Sequence, residues 1–275
     1  MGKFEELKVC YDDTEHQVRN SQLLQELIRK SIENCKIILD EDGVTGGMPE
    51  VKYFEDCSVE VIEGTAINVA SMFAGKKPCI MNFADFKLPG GWVTKGGSAQ
   101  EESICRSTTL NFILTSDKCM NGYYLPNKEK LKHWEFPQFY DDSMIFTPDV
   151  FVIKDGDRVP KNLDYSKCYF IDVINCVAPN LYRFYPDQED LMRIYTKRLH
   201  KFFEIAKSEG EEILILGAWG CGAFRNNPDP ISQVFKNLIK EYRNEFKKII
   251  FAIPSSGNNR NLREFREKMG VFVDV

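Results

Sequence analysis

Two glycine-rich stretches and one pair of adjacent carboxylates are the residues here whose types and spacing suit chemistry. The first stretch reads Leu88-Pro89-Gly90-Gly91-Trp92-Val93-Thr94-Lys95-Gly96-Gly97-Ser98 and runs on into Ala99-Gln100-Glu101-Glu102. It lies between an apolar run, Pro78 to Ala84, and a segment expected to be helical after Ser98. Glycines there let backbone N–H groups approach an anion, and a helix N-terminus adds partial positive charge, so phosphate is the expected ligand class. The second stretch, Gly217-Ala218-Trp219-Gly220-Cys221-Gly222-Ala223-Phe224, follows directly on the apolar run Glu212 to Leu216. Two such loops at equivalent strand ends point to one nucleotide diphosphate held between them.

The carboxylates Glu101 and Glu102 cannot do the same job, because neighbours on a helix point about 100° apart. Ser98 followed by Glu101 fits a capping box, which gives Glu101 a structural reading of its own. Glu102 lies outside that box and is the candidate general acid, provided burial or its neighbour keeps it protonated against the helix N-terminus. Arg106, four residues on, is placed to form a surface ion pair with Glu102 across one turn. Phe224 is read either as core or as a stacking group, and Tyr123-Tyr124, in a polar stretch, as partly exposed.

These groups need a scaffold. Apolar spacing predicts a helix from Ser21 to Leu39, then a glycine-rich loop from Asp42 to Pro49. Strands are expected at Val59 to Ile62, Pro78 to Ala84, Met144 to Ile153, Tyr169 to Val177, Glu212 to Leu216 and Ile249 to Pro254, with a last short one at Val271 to Val273. Helices are expected at Ala66 to Phe73, after Ser98, Asp187 to Glu209, Pro230 to Tyr242 and near the C-terminus. The stretch from Cys119 to Phe139 reads as irregular. Buried strands alternating with amphipathic helices make an α/β sandwich with its ligand crevice beyond the carboxyl ends of the strands. No repeat or linker divides the 275 residues, so one domain is expected.

Composition limits the partners. Lys and Arg number 36 against 41 Asp and Glu, a net charge of -5, which is the wrong sign for binding duplex nucleic acid by bulk charge. Nine cysteines contain no C-x-x-C pair, and the histidines His16, His133 and His200 form no H-x-x-x-H pair, so no metal or other cofactor is expected. No apolar run is long enough for a membrane span, the opening MGKFEELKVC lacks a secretory apolar region, and Glu6 breaks the myristoylation pattern. A cytoplasmic location away from membranes is the expectation.

Together these stretches resemble the bacterial-type poly(ADP-ribose) glycohydrolases, a branch of the macrodomain fold. The resemblance is carried by Met81-Asn82-Phe83-Ala84, Pro89-Gly90-Gly91, Ala99-Gln100-Glu101-Glu102, Cys105-Arg106-Ser107-Thr108-Thr109-Leu110, Phe146-Thr147-Pro148-Asp149-Val150 and Gly217 to Phe224, in family order. It implies a three-layer α/β/α sandwich of macrodomain type with a mixed central sheet, and a helical N-terminal extension over residues 1–50. It also implies hydrolysis of ribose–ribose bonds in poly(ADP-ribose), releasing ADP-ribose without a metal. Carried over, Glu102 is the acid and base, Glu101 binds substrate ribose hydroxyls, and Asn82 and Gln100 help hold the terminal ribose. Gly90, Gly91 and the turn Gly220, Cys221, Gly222, Ala223 would cradle the diphosphate, with Phe224 packed on a ribose.

Departures from that pattern stand at Trp92 and Arg225, where relatives usually have glycine, and at Asp85, where they more often have a neutral polar residue. Side chains at the first two positions fit if φ is negative there. Arg225 is then expected to contact the diphosphate. Other readings remain open: a binding module for ADP-ribose or ADP-ribosylated protein, a hydrolase of mono-ADP-ribosyl linkages, or a nucleotide-binding oxidoreductase. The last is disfavoured because Gly217, Gly220 and Gly222 reverse the dinucleotide-binding spacing.

Overall fold

A computed structural model describes residues 2–42, 54–55, 57–133, 139–182, 184, 186–255 and 259–272. In order, the elements are α1 (Lys3–Asn20), α2 (Gln22–Asn34), β1 (Lys36–Ile38), β2 (Ser58–Ile62), α3 (Ala66–Ser71), β3 (Cys79–Asn82), α4 (Gln100–Ser107), α5 (Leu110–Leu114), α6 (Asp117–Cys119) and α7 (Leu125–Lys130). They continue with β4 (Met144–Val152), β5 (Tyr169–Asn175), α8 (Gln188–Ser208), β6 (Ile213–Leu216), α9 (Pro228–Tyr242), β7 (Lys248–Ala252) and α10 (Arg260–Met269).

The described strands form one sheet in the order β1-β4-β5-β3-β6-β7-β2. From β5 to β2 every neighbour is parallel, while β4 runs antiparallel to both β5 and β1, so the sheet is mixed as expected. The alternation of side chains along each strand divides the core in two. Ile80, Ile215 and Ile250 pack with residues of α1 to α5 on one face. Cys79, Met81, Leu214, Leu216, Ile249 and Phe251 pack with α8, α9 and α10 on the other. That is the three-layer α/β/α arrangement.

β3 and β6 are adjacent and parallel, with Cys79 opposite Leu214 and Ile80 opposite Ile215. Their carboxyl ends therefore open on the same edge, and this brings the two glycine loops together. Beyond the opposite ends, Asp172 and Glu211 form a buried, hydrogen-bonded carboxyl pair, with Lys77 Nζ 3.0 Å from Asp172. Burial, and then the charge of Asp172, hold the Glu211 carboxyl well above its ordinary range.

Several sequence expectations are corrected. The helix from Ser21 stops at Asn34, and Lys36–Ile38 instead pairs with β4, because the β-branched Ile37 and Ile38 complete a sheet edge. The Ser21 hydroxyl accepts from the Leu24 amide, so the start is a true cap. The N-terminal region is thus helical only to Asn34, and the loop read at 42–49 lies outside the described residues from 43 on. Between Cys119 and Phe139, 120–124 is a π-helical turn leading into α7, and Tyr123 and Tyr124 are fully buried rather than partly exposed. Gly270–Phe272 is a 3-10 turn where a strand was expected, and Val273 is outside the described residues.

Candidate active site

The chain leaves β3 at Asn82 and turns at once, with the Asp85 carboxylate capping the amides of Lys87 and Leu88 at 2.9 Å each. Gly90 and Gly91 follow with φ of 71° and 56°, the left-handed region that glycine enters without a steric penalty. Space demands glycine as well. A Cβ on Gly90 would meet Asn111 Oδ1 at 2.1 Å, and one on Gly91 would meet Glu102 Oε1 at 2.6 Å. The loop is wrapped closely around the carboxylates at the start of α4.

Glu101 is 3% exposed. It accepts from the Asp85 amide at 2.8 Å and from the Gly90 amide and Asn82 Nδ2 at 3.3 Å each. Burial raises its pKa well above the usual carboxylate range; the Asp85 amide opposes this, while the charges of Asp85 and Glu102 add to it. The capping-box reading is wrong: α4 is capped at Ala99 with no side-chain bond, and Glu101 is claimed by the preceding loop.

Glu102, 7% exposed, is bonded differently. Its Oε1 accepts from the Trp92 amide at 3.0 Å, while its buried Oε2 has no partner. Arg106 is buried rather than on the surface and donates to the Gly97 carbonyl in place of an ion pair with Glu102. Burial lowers the Arg106 pKa and the charge of Glu102 counters that. The Glu102 oxygen, Arg106 Nε, Asn82 Oδ1 and Asn111 Oδ1 make up half of the eight buried, unpartnered side-chain atoms among the described residues. Orphaned buried polar atoms are costly, and their gathering around one loop marks a place built to meet a ligand.

Gln100 bridges the end of β3, its Nε2 donating to the Met81 carbonyl and its Oε1 accepting from the Phe83 amide, both at 2.8 Å. Asn82 also donates to Asn175 Oδ1 at 3.0 Å, and Asn175 donates to the Tyr124 hydroxyl at 3.2 Å. Asn175 and Tyr124 were missed as site residues, although Asn175 ends an apolar strand as Asn82 does and pairs with it in register. The first helix buttresses the other side. Thr14 donates to the Arg106 carbonyl at 2.5 Å, Asn111 donates to the Tyr11 hydroxyl, and a Cβ on Gly96 would strike the Phe4 carbonyl oxygen at 1.9 Å.

The second loop is anchored by Trp219, fully buried, whose Nε1 donates to the Cys176 carbonyl at 2.8 Å. Asn226, also unforeseen, ties it down through bonds from its Nδ2 to Pro179 and Gly220 carbonyls and one from the Tyr195 hydroxyl. Gly222 and Ala223 stand exposed. The amides of Gly222, Ala223 and Phe224 find no acceptor among the described residues. Burial pushes the Cys221 thiol up to about 12, which removes it as a nucleophile at neutral pH. Phe224 is half-buried and packs against both halves of the core.

Of the two departures, Trp92 has φ -98° and fits its position. Arg225 does not follow the expectation of negative φ: it sits at 59°, and its guanidinium lies 4.3 Å from the centre of the Tyr182 ring. Asp85 serves as the turn cap and lends its amide to Glu101. The structure therefore brings Asn82 at the end of β3, Gly90 and Gly91 in the loop that follows, and Gln100, Glu101 and Glu102 at the start of α4 together, with Gly220 to Arg225 on the loop after the neighbouring strand.

Comparison with known proteins gives the family and the fold. The family model described as microbial-type PARG, catalytic domain, matches residues 7–155, more than half of the chain. Poly(ADP-ribose) glycohydrolase from Deinococcus radiodurans, solved in complex with ADP-ribose, is 26% identical with a TM-score of 0.75, covering 89% of this chain and 97% of its own. The enzyme from Thermomonospora curvata, bound to the inhibitor ADP-HPD, shares the fold at 22% identity and TM-score 0.81, covering 96% and 99%. A search of curated proteins finds no match. The chain belongs to the microbial-type PARG catalytic-domain family, the poly(ADP-ribose) glycohydrolases.

Proposed function

We propose that this chain hydrolyses the ribose–ribose O-glycosidic bonds of poly(ADP-ribose), releasing ADP-ribose, with Glu102 as the acid and base. The observation that carries the reading is the unequal bonding of the two Glu102 oxygens: one is fixed by the Trp92 amide and the other is buried without a partner. A protonated Glu102 gives its proton to the leaving ribose oxygen as the glycosidic C–O bond breaks. The carboxylate then takes a proton from the water that attacks the anomeric carbon, returning Glu102 to its acid form. The substrate's own diphosphate, beside the ribose, stabilises the oxocarbenium ion formed between these steps.

In this reading the amides of Gly222, Ala223 and Phe224, with Gly90, Gly91, Gly220 and Cys221 shaping the two loops, receive the diphosphate. The free Oδ1 of Asn82 accepts from a hydroxyl of the terminal ribose, with Gln100 holding the strand end beneath it. Glu101 keeps the loop in register and lies next to the ribose hydroxyls, and Phe224 packs on a ribose face. Residues 1–275 act as one catalytic domain, supported by the way α1 braces α4 and the first loop. No helix among the described residues is long and apolar enough to cross a membrane. A cytoplasmic location belongs to the same reading, supported by nine cysteines that are all free thiols.

The test is to incubate the protein in excess chelator with poly(ADP-ribose) and, separately, with a mono-ADP-ribosylated protein, and to follow products by chromatography. ADP-ribose appearing from the polymer is the expected outcome. Release only after Mg²⁺ is restored, or only from the mono-ADP-ribosylated protein, would replace this reading with a different ADP-ribosyl hydrolase.

A further inference from the structure

Trp92 is a large aromatic residue with no packing role. It is 59% exposed, although its backbone is among the most fully committed in the loop. The amide is bonded to Glu102, and the carbonyl accepts from Lys95 N at 3.0 Å and Gly97 N at 2.9 Å. The residue is therefore fixed in place beside the carboxylate while its indole stands in solvent. Lys95 lies over that ring with Nζ 5.1 Å from the centroid, and no carboxylate pairs with Lys95 among the described residues. An exposed aromatic face carrying a cation, on the residue whose amide holds the acid, has the makings of a binding surface.

The chemistry of the substrate says what belongs there. In poly(ADP-ribose) the oxygen that Glu102 protonates is the 2′-oxygen of the next unit's adenosine. Its adenine is borne on the adjoining sugar carbon, and its diphosphate hangs from the same sugar. The departing unit thus presents a flat base and two anionic groups immediately outside the acid. We propose that Trp92 and Lys95 form a leaving-group subsite, with the indole stacking on the adenine of the unit that departs and the ammonium facing its diphosphate. A mono-ADP-ribosyl linkage to protein offers no such base, so the subsite makes the enzyme selective for polymer.

This rests on the glycohydrolase reading, and the experiment separates the two. Steady-state kinetics are measured with poly(ADP-ribose) and with an aryl glycoside of ADP-ribose, which has the same glycosyl part but a small leaving group. In Trp92→Ala the ratio of kcat/KM for polymer to that for aryl glycoside should fall about tenfold, through KM, in keeping with a lost base–aromatic stack. Trp92→Phe should restore most of the ratio. Lys95→Ala should lower it by about threefold and weaken its dependence on salt. If Trp92→Ala slows both substrates equally, or neither, the indole only steadies the Glu102 loop or does nothing, and the subsite is wrong. If the unaltered protein cleaves neither substrate, the glycohydrolase reading itself falls.

Discussion

Glu101 and Glu102 stand side by side in the first turn of α4, yet Glu101 receives three N–H donors and Glu102 one. The more heavily bonded carboxylate holds the loop, and the one with an oxygen to spare is left for the reaction.

Replacing Glu102 by Gln keeps the shape and the bond from Trp92 but removes the transferable proton. Hydrolysis of poly(ADP-ribose) should fall by about 100-fold or more, the range expected for a principal acid–base group. Affinity for ADP-ribose, read by calorimetry, should stay within a few fold. Turnover retained in this variant would take Glu102 out of the mechanism.

Gly91 and Gly222 make a matched pair. Gly91→Ala puts a methyl group on Glu102 in a left-handed backbone, so activity should drop by about tenfold or more, with a stability loss of about 1 to 3 kcal/mol in urea denaturation. Gly222 faces open space at ordinary φ, and Gly222→Ala should leave stability within about 0.5 kcal/mol. Equal behaviour of the two variants would mean that the first loop is not packed on Glu102 in solution.

The Asp172–Glu211 pair predicts how stability depends on pH. Because the folded pKa of Glu211 is raised above its unfolded value, the folded chain binds more protons than the unfolded chain over the interval between them. Its contribution is complete below about pH 4.3, the unfolded value, and is lost as pH rises towards the folded one. Glu211→Gln does not titrate, so its urea midpoint relative to the parent should rise between pH 5 and pH 8, two assay conditions chosen to span this range (roughly from the unfolded value upward). A constant difference across those buffers would show that Glu211 is not held protonated.

Arg225→Gly removes a left-handed non-glycine residue, worth about 1 to 2 kcal/mol of strain, and a cation–π contact worth about 0.5 to 1 kcal/mol at an exposed site. The two nearly offset, so thermal stability should hardly move. ADP-ribose affinity should weaken by about 1 to 3 kcal/mol, as expected when a charge-assisted bond to a phosphate is lost. Unchanged affinity would leave Arg225 as a partner of Tyr182 only.

How much of this was legible beforehand depended on range. Apolar runs ending in glycine loops are local, and they located β3, β6 and the site between them. That β3 and β6 are neighbours is a long-range pairing that no window of sequence contains. The cap of α4 was misplaced by one residue because the pattern Ser98-x-x-Glu101 is locally sound but loses to donors from Asn82, Asp85 and Gly90. Helix α1 went unread as a periodic pattern because its buried face, Leu7, Tyr11, Thr14 and Val18, includes a phenol and a hydroxyl that serve Asn111 and Arg106. Tyr123 and Tyr124 were misjudged because polar neighbours hid a π-turn that points both rings inward.

The bracing by α1 also sets an order in time. Thr14 meets a partner 92 residues away, Tyr11 one 100 away, and the Cys10 carbonyl is reached by Lys154 across 144. Helix α1 must therefore wait for α4, α5 and the end of β4 before it can dock, since contacts that close long loops form late. Until then the loop of Gly90 to Gly97 lacks its wall. Folding chains should carry much of their secondary structure while still inert, and gain activity only once α1 has docked against α4.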